Sequence, residues 1–262
     1  MEAMSKVRNE RLAEVVPDVL AALHEVLRRH RVTEEEWFAA LAFLAEVGRT
    51  DNEFILLSDV TRTSVLIDEL SHGADESGAT ASDVEGPLYR DDPPWRETGS
   101  KIYDDYEGMG DGDPLTVSGT VTSTAGGPLP DAVVDVWQTG PDGGYDVWDP
   151  RQPAYNFRGR IQVEEDGAYA FQTMLPKPYT VPTDGPVGRY LEAVGQHPWR
   201  PAHIHFKVTA PGHQTLVTQV FFPDDPYLEN DTIGAVKPAL VRPVERRDGG
   251  LACDFDIALR PL

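Results

Sequence analysis

Arg200-Pro201-Ala202-His203-Ile204-His205-Phe206-Lys207-Val208 places two imidazoles two residues apart in a stretch that reads as a β-strand. Side chains at i and i+2 of a strand point to one face, so His203 and His205 project side by side. The histidine run extends over His203–Ala210. Working outward from it, further short runs are bounded by turn residues: Leu115–Ser123, Ala132–Gln138, Arg158–Val163, Ala168–Thr173, Leu216–Phe222 and Cys253–Leu259. Strands at this spacing argue for a β-sandwich or barrel. Between Leu175 and Pro201 the chain is rich in proline, including Pro176, Pro178, Pro182, Pro186 and Pro198, and reads as a long ordered loop of the kind that often carries function. Asp142-Gly143-Gly144 reads as a turn and Glu164-Glu165-Asp166-Gly167 as a hairpin turn.

The N-terminal part has a different period. Thr33-Glu34-Glu35-Glu36 is a capping box, and Trp37, Leu41 and Leu44 follow at helical spacing until Gly48. Upstream, Glu10–Arg29 carries Leu12, Val15, Val19, Leu20, Leu23 and Leu27, with Pro17 allowing a kink or a late start. Downstream, Asp51 can cap a helix running through Phe54, Leu57, Val65 and Leu66 toward Gly73. These helices carry more apolar stripe than they can bury among themselves, which implies a partner surface. The stretch from Ser71 to Asp92 is a crossing segment. The expected fold class is therefore mainly β: a β-sandwich over residues 91–262, preceded by a helical domain and linker over residues 1–90.

Composition bounds the function. The 262 residues are 40% apolar, enough for a proper core, and 23 basic against 44 acidic side chains give a net charge of −21. Such a chain repels nucleic acid and anionic membranes. Cys253 is the only cysteine, so neither an intrachain disulfide nor a thiolate cluster can form. With no apolar run long enough to span a membrane, a cytoplasmic location is expected.

A His-x-His pair in a strand is weak evidence of a metal site when it stands alone. Tyr145 and Tyr179, upstream of it, are further candidate ligands. Free tyrosine ionises near pH 10, so a phenolate at neutral pH needs a strong cation beside it. Two phenolates and two imidazoles form a hard anionic set that favours Fe(III) over Fe(II) or Zn(II). The remaining histidines, His24, His30, His72, His197 and His213, read as solvated or capping residues.

Several separated blocks bear a family resemblance. Val134-Asp135-Val136-Trp137-Gln138 precedes Gly144-Tyr145-Asp146; then come Pro178-Tyr179-Thr180-Val181-Pro182, Arg200-Pro201-Ala202-His203-Ile204-His205 and Thr218-Gln219. In order and spacing they resemble the intradiol ring-cleaving dioxygenases, which include catechol, chlorocatechol and hydroxyquinol 1,2-dioxygenases. Glu85-Gly86-Pro87-Leu88-Tyr89 and Glu53-Phe54-Ile55-Leu56-Leu57-Ser58-Asp59 extend the likeness to nearly the whole chain. The resemblance implies one Fe(III) per chain held by Tyr145, Tyr179, His203 and His205. It implies that Arg200 stabilises charge on the ring and that Gln219 helps fix substrate. Tyr179 is implied to leave the metal and take a diol proton. An aromatic diol and O2 are the implied substrates. The helical domain is implied to form a homodimer, and relatives can hold a phospholipid at that interface.

Val84, Gly86, Pro87, Leu88, Val181, Pro182 and Ile233 fall where family members line the ring pocket. Pro178–Gly188, His197–Arg200 and Asp225–Leu228 look more like hydroxyquinol dioxygenases than catechol ones. A third hydroxyl needs a polar partner when buried, and Asp68 is the candidate. Gly144 replaces a bulky residue of the family pattern, and Val60–Ser64 lacks the usual Leu-Gly; both changes could reshape the pocket. The rival readings are catechol or chlorocatechol cleavage at the same site, and a metal-free β-sandwich binding module.

Overall fold

The computed structural model describes residues 9–73, 77–107, 109–247 and 250–262. The chain divides into two compact units between Arg49 and Thr50. The first holds α1 (Glu10–His30) and α2 (Glu34–Val47). Asn9 caps α1 by accepting the Leu12 N–H at 3.1 Å, and Pro17 lies inside the helix without delaying its start. The capping box of α2 forms as expected: the Glu36 N–H donates to Thr33 Oγ1 at 3.2 Å and the Thr33 N–H to Glu36 Oε2 at 2.7 Å. No residue of α1 is buried; its Leu12, Val19, Leu20 and Leu23 stand exposed, as do Phe38, Leu41 and Leu44 of α2.

The second unit opens with two helices where the sequence suggested one: α3 (Glu53–Val60) and α4 (Thr63–His72). Asn52, with φ 64°, precedes α3 in place of the expected Asp51 cap, and the break falls at Arg62, whose backbone is also left-handed at φ 59°. The Arg62 N–H donates to the Asp59 carbonyl at 2.8 Å rather than to Ser58, and the Thr61 hydroxyl, 3.2 Å from the Ser58 carbonyl, serves the acceptor that a continuous helix would have used.

One five-stranded sheet runs in the order β1 (Trp95–Arg96), β4 (Arg158–Gln162), β3 (Val133–Gln138), β8 (His203–Thr209), β9 (Leu216–Phe221). The other is built on β2 (Pro114–Ser123). Antiparallel β5 (Ala168–Met174) lies along one edge of β2, and β11 (Gly250–Asp254) and β12 (Ile257–Leu259) pair with it in parallel; β10 (Glu245–Arg247) pairs with β11. The single strand expected over Cys253–Leu259 is thus two. The Phe255 carbonyl presses so close to Gly119 that a Cβ there would lie 2.0 Å from it, and Asp256 Oδ1 accepts from the Thr120 N–H at 2.9 Å. A side-chain acceptor takes the place of a ladder bond and the strand breaks.

Two further expectations change. The Glu164–Gly167 turn is not a hairpin, because β4 and β5 belong to different sheets. The proline-rich segment contains β6 (Tyr179–Thr180), α5 (Pro186–Val194) and β7 (Trp199–Arg200). Pro186 suits the first position of α5, where its missing N–H costs nothing, and buried Glu53 accepts the Val187 N–H at 2.9 Å. Helix is thus as prominent as strand, and the chain is mixed rather than mainly β. On β8, Ile204, Phe206 and Val208 are buried on one face, where Phe206 meets Phe171 of β5 and Phe255 at ring distances of 6.1 and 5.1 Å. His203 and His205 take the opposite face, as the strand period requires. Among the described residues no helix is long and apolar enough to cross a membrane.

Candidate metal centre

Strand register assembles the site. Arg158 of β4 pairs with Trp137 of β3, Trp137 with His205 of β8, and His205 with Gln219 of β9, so four side chains form one row across the sheet. Trp137 lies flat on His205, ring centroids 4.6 Å apart and planes 5° from parallel. Two residues before His205, His203 Nδ1 donates to the Pro201 carbonyl at 2.7 Å. That bond fixes the tautomer and puts the ring's lone pair on Nε2, the atom a metal would take and to which Arg200 donates here. The Nε2 atoms of His203 and His205 approach to 3.1 Å, so both ligand atoms are directed at one place.

Tyr179 enters from the short β6–β7 ladder, in which it pairs with Arg200. Its ring centroid is 5.5 Å from those of both His203 and Tyr145. Tyr145 comes from the loop after β3. The turn before it is the one expected: Gly143 has φ 85° and the Gly144 N–H donates to Asp142 Oδ1 at 3.2 Å. Gly144 is not idle space, since a Cβ there would lie 3.3 Å from Gln152 Nε2, which donates to the Gly144 carbonyl.

All four candidate ligands are buried. Burial raises the pKa of Tyr145 well above the ordinary phenol value and the neighbouring Tyr179 adds to it; burial also raises Tyr179, against the pull of Arg200. Burial lowers the pKa of both histidines well below the usual range. Arg200 lowers His203 further, and His203 and Arg200 do the same to His205. Without a metal the site therefore holds neutral imidazoles and neutral phenols. Tyr145 Oη makes no well-formed hydrogen bond, and His205 Nδ1 is likewise unpartnered among the described residues. A buried phenol with no well-formed hydrogen bond, beside converging imidazole nitrogens, fits a hard trivalent cation.

Arg200 is held from three sides. Its Nε donates to Asp231 Oδ1 at 3.2 Å, Nη2 to Gln219 Oε1 at 3.1 Å and Nη1 to His203 Nε2 at 3.0 Å. Asp231 also accepts the Ala235 N–H at 3.0 Å, and Gln219 Nε2 donates to the Val84 carbonyl at 2.9 Å. A pocket opens onto Tyr179, Arg200 and His205, lined by Gly86, Pro87, Leu88, Val181, Pro182 and Ile233. Val84 is buried and contributes its carbonyl through Gln219 rather than a pocket wall.

Asp68 is not brought to this pocket. Lys237 Nζ donates to its Oδ2 at 2.6 Å and His72 Nδ1 lies 3.0 Å from its Oδ1, in a separate cleft between α4 and the end of the chain. Two carboxyls do line the ring pocket, half-buried Glu85 and Asp59, which is 3% exposed, together with Leu56 and Trp148. The pKa of Asp59 is raised by burial, against the effect of Ser64 and Arg200. The sequence reading missed Asp59. The signal was the spacing of Glu53, Leu56 and Asp59, which puts three side chains on one face of a short helix.

Residues 9–79 match the family described as catechol dioxygenase N terminus, and residues 84–261 the family described as dioxygenase. The chain is 43% identical over 241 residues to the hydroxyquinol 1,2-dioxygenase of Rhizobium sp. (strain MTP-10005), covering 90% of this chain and 80% of that protein. It is 36% identical to the chlorocatechol 1,2-dioxygenase of Cupriavidus pinatubonensis (strain JMP 134 / LMG 1197), covering 97% and 96% of the two chains. Hydroxyquinol 1,2-dioxygenase from Pseudomonas putida DLL-E4 has a similar solved structure: TM-score 0.87 at 35% identity, over 100% of this chain and 96% of that one.

Proposed function

The chain belongs to the intradiol ring-cleaving dioxygenases, and on that premise we propose that it opens hydroxyquinol (benzene-1,2,4-triol) between its adjacent hydroxyls. The ring takes up both atoms of O2 and leaves as 3-hydroxy-cis,cis-muconate, a tautomer of maleylacetate. The observation that carries the choice of substrate is buried Asp59 in an otherwise largely apolar ring pocket. A third hydroxyl can donate to that carboxyl beside Ser64, whereas catechol has no hydroxyl to offer it.

Tyr145, Tyr179, His203 and His205 are the proposed ligands of one Fe(III) per chain. Ferric iron, when bound, supplies the Lewis acidity that favours the ionised diol and makes the ring reactive toward O2. Tyr179 Oη takes one diol proton, a role that suits a phenol whose pKa burial raises. The Arg200 guanidinium stays charged and faces the negative charge that develops on the ring; Asp231 and Gln219 hold it in place. Leu88, Val181 and Ile233 keep water from the ring, Pro87 and Pro182 stiffen the walls, and Gly86 lets the backbone pass within reach of His205, whose Cε1 is 3.9 Å from the position of an added Cβ.

The wider architecture follows the same reading. The contacts of Phe206 with Phe171 and Phe255 support two sheets packed as a β-sandwich. The exposed apolar side chains of α1 and α2 support a homodimer through the N-terminal helices. A phospholipid at that interface rests on family likeness alone. Oxygen uptake measured with hydroxyquinol, catechol and chlorocatechols tests the substrate. A kcat/KM clearly highest for hydroxyquinol is the expected result; equal or higher values for catechol or chlorocatechols would assign the chain to those activities.

A further inference from the structure

Arg158 opens β4 at the end of the row that contains Trp137, His205 and Gln219, yet the chemistry above gives it no part. Its side chain is 1% exposed. The Nε donates to Asp146 Oδ1 at 2.7 Å, and Cζ lies 5.8 Å from the centroid of the Tyr145 ring. The side chain of Asp146 is fully buried and is shared: its Oδ2 accepts from Arg90 Nη1 and from the Tyr155 N–H. Two guanidiniums thus face one carboxylate, and Arg158 Nη2 has no hydrogen-bond partner among the described residues. Burying a cation this way is costly unless an anion completes it. Asp146 is already divided between two cations, and the neighbouring group able to become an anion is Tyr145.

We propose that Arg158 is a positioning residue of the metal centre, the buried counter-charge that holds Tyr145 as a phenolate donor and sets how strongly it donates. The inference rests on the reading of Tyr145 as a ligand of ferric iron. A positive charge over the ring lowers the energy of the phenolate's donor electrons, so moving one of them to the metal takes more light energy with Arg158 present than without it. Arg90 works in the same sense: it draws on Asp146 and so leaves Arg158 less neutralised.

The test is the visible phenolate-to-iron absorption of purified holoenzyme at measured iron content. R158M is expected to shift the band to longer wavelength at full iron occupancy, and R158K to keep it near the wild-type position. R90M, a change at a side chain 31% exposed, lets Asp146 neutralise Arg158 more fully and is expected to give a smaller shift in the same direction. If R158M does not yield soluble holoenzyme, R90M decides. A band that stays in place in R90M, and in R158M where it can be made, overturns the inference. A wild-type holoprotein with iron but without the band instead refutes the phenolate ligands themselves.

Discussion

Trp137 lies flat against His205, with 4.6 Å between centroids and 5° between planes, in a row that strand register alone sets up. The indole fixes the imidazole's rotation while Pro201 fixes its neighbour's tautomer. Trp137→Ala opens a large void in a fully buried position and should destabilise the protein by roughly 3–5 kcal/mol. Urea denaturation measures that loss. Trp137→Phe, which keeps a flat ring on the imidazole, should recover most of it along with iron content.

Among the described residues Asp59 is the one buried acidic side chain of the ring pocket. Asp59→Leu removes the acceptor for the third hydroxyl and should lower kcat/KM for hydroxyquinol by roughly tenfold to a hundredfold, the worth of a buried hydrogen bond to a charged group. The same variant should hold or gain activity on catechol. Steady-state oxygen uptake on both substrates checks the reversal.

Asp231 is the ion-pair partner of buried Arg200. Asp231→Asn leaves that guanidinium without its counter-charge and should cost roughly 3–5 kcal/mol of stability. Activity should fall further than the unfolded fraction explains, because Arg200 loses its orientation. Thermal melts and kcat measured on the folded fraction separate the two effects.

Iron loading should depend on pH in one direction. The raised pKa values of Tyr145 and Tyr179 keep both phenols protonated through neutral pH, while the lowered values of His203 and His205 leave the imidazoles already neutral. Binding therefore expels two protons from the phenols and none from the histidines. Apparent affinity should rise with pH, by about two log units per pH unit near neutrality. Competition against a chelator whose own proton uptake is known measures the slope.

His203 and His205 were legible because strand alternation is a local property: nine consecutive residues reveal the face. The capping box of α2 is local in the same way, and it formed. Tyr145 and Tyr179 had no such local signature and became specific through the resemblance of their blocks. What sequence did not show depends on distant partners. Cys253–Leu259 breaks because Phe255 meets Gly119 across β2, and α5 is capped by Glu53 from a helix 134 residues earlier. Asp68 lies on the second half of the single helix that the sequence predicts where the structure has α3 and α4. Lys237, 169 residues away, claims it, and the break at Arg62 separates it from the short helix whose face carries Asp59 to the ring.

Cleavage of hydroxyquinol under labelled oxygen, with the iron-loaded protein, tests the central claim most directly. One O2 should be consumed per ring, and mass spectrometry should find both labelled atoms in 3-hydroxy-cis,cis-muconate or maleylacetate, one in each new carboxylate. Absence of oxygen uptake, or an aldehyde-bearing product from cleavage beside the diol rather than between its hydroxyls, would contradict it.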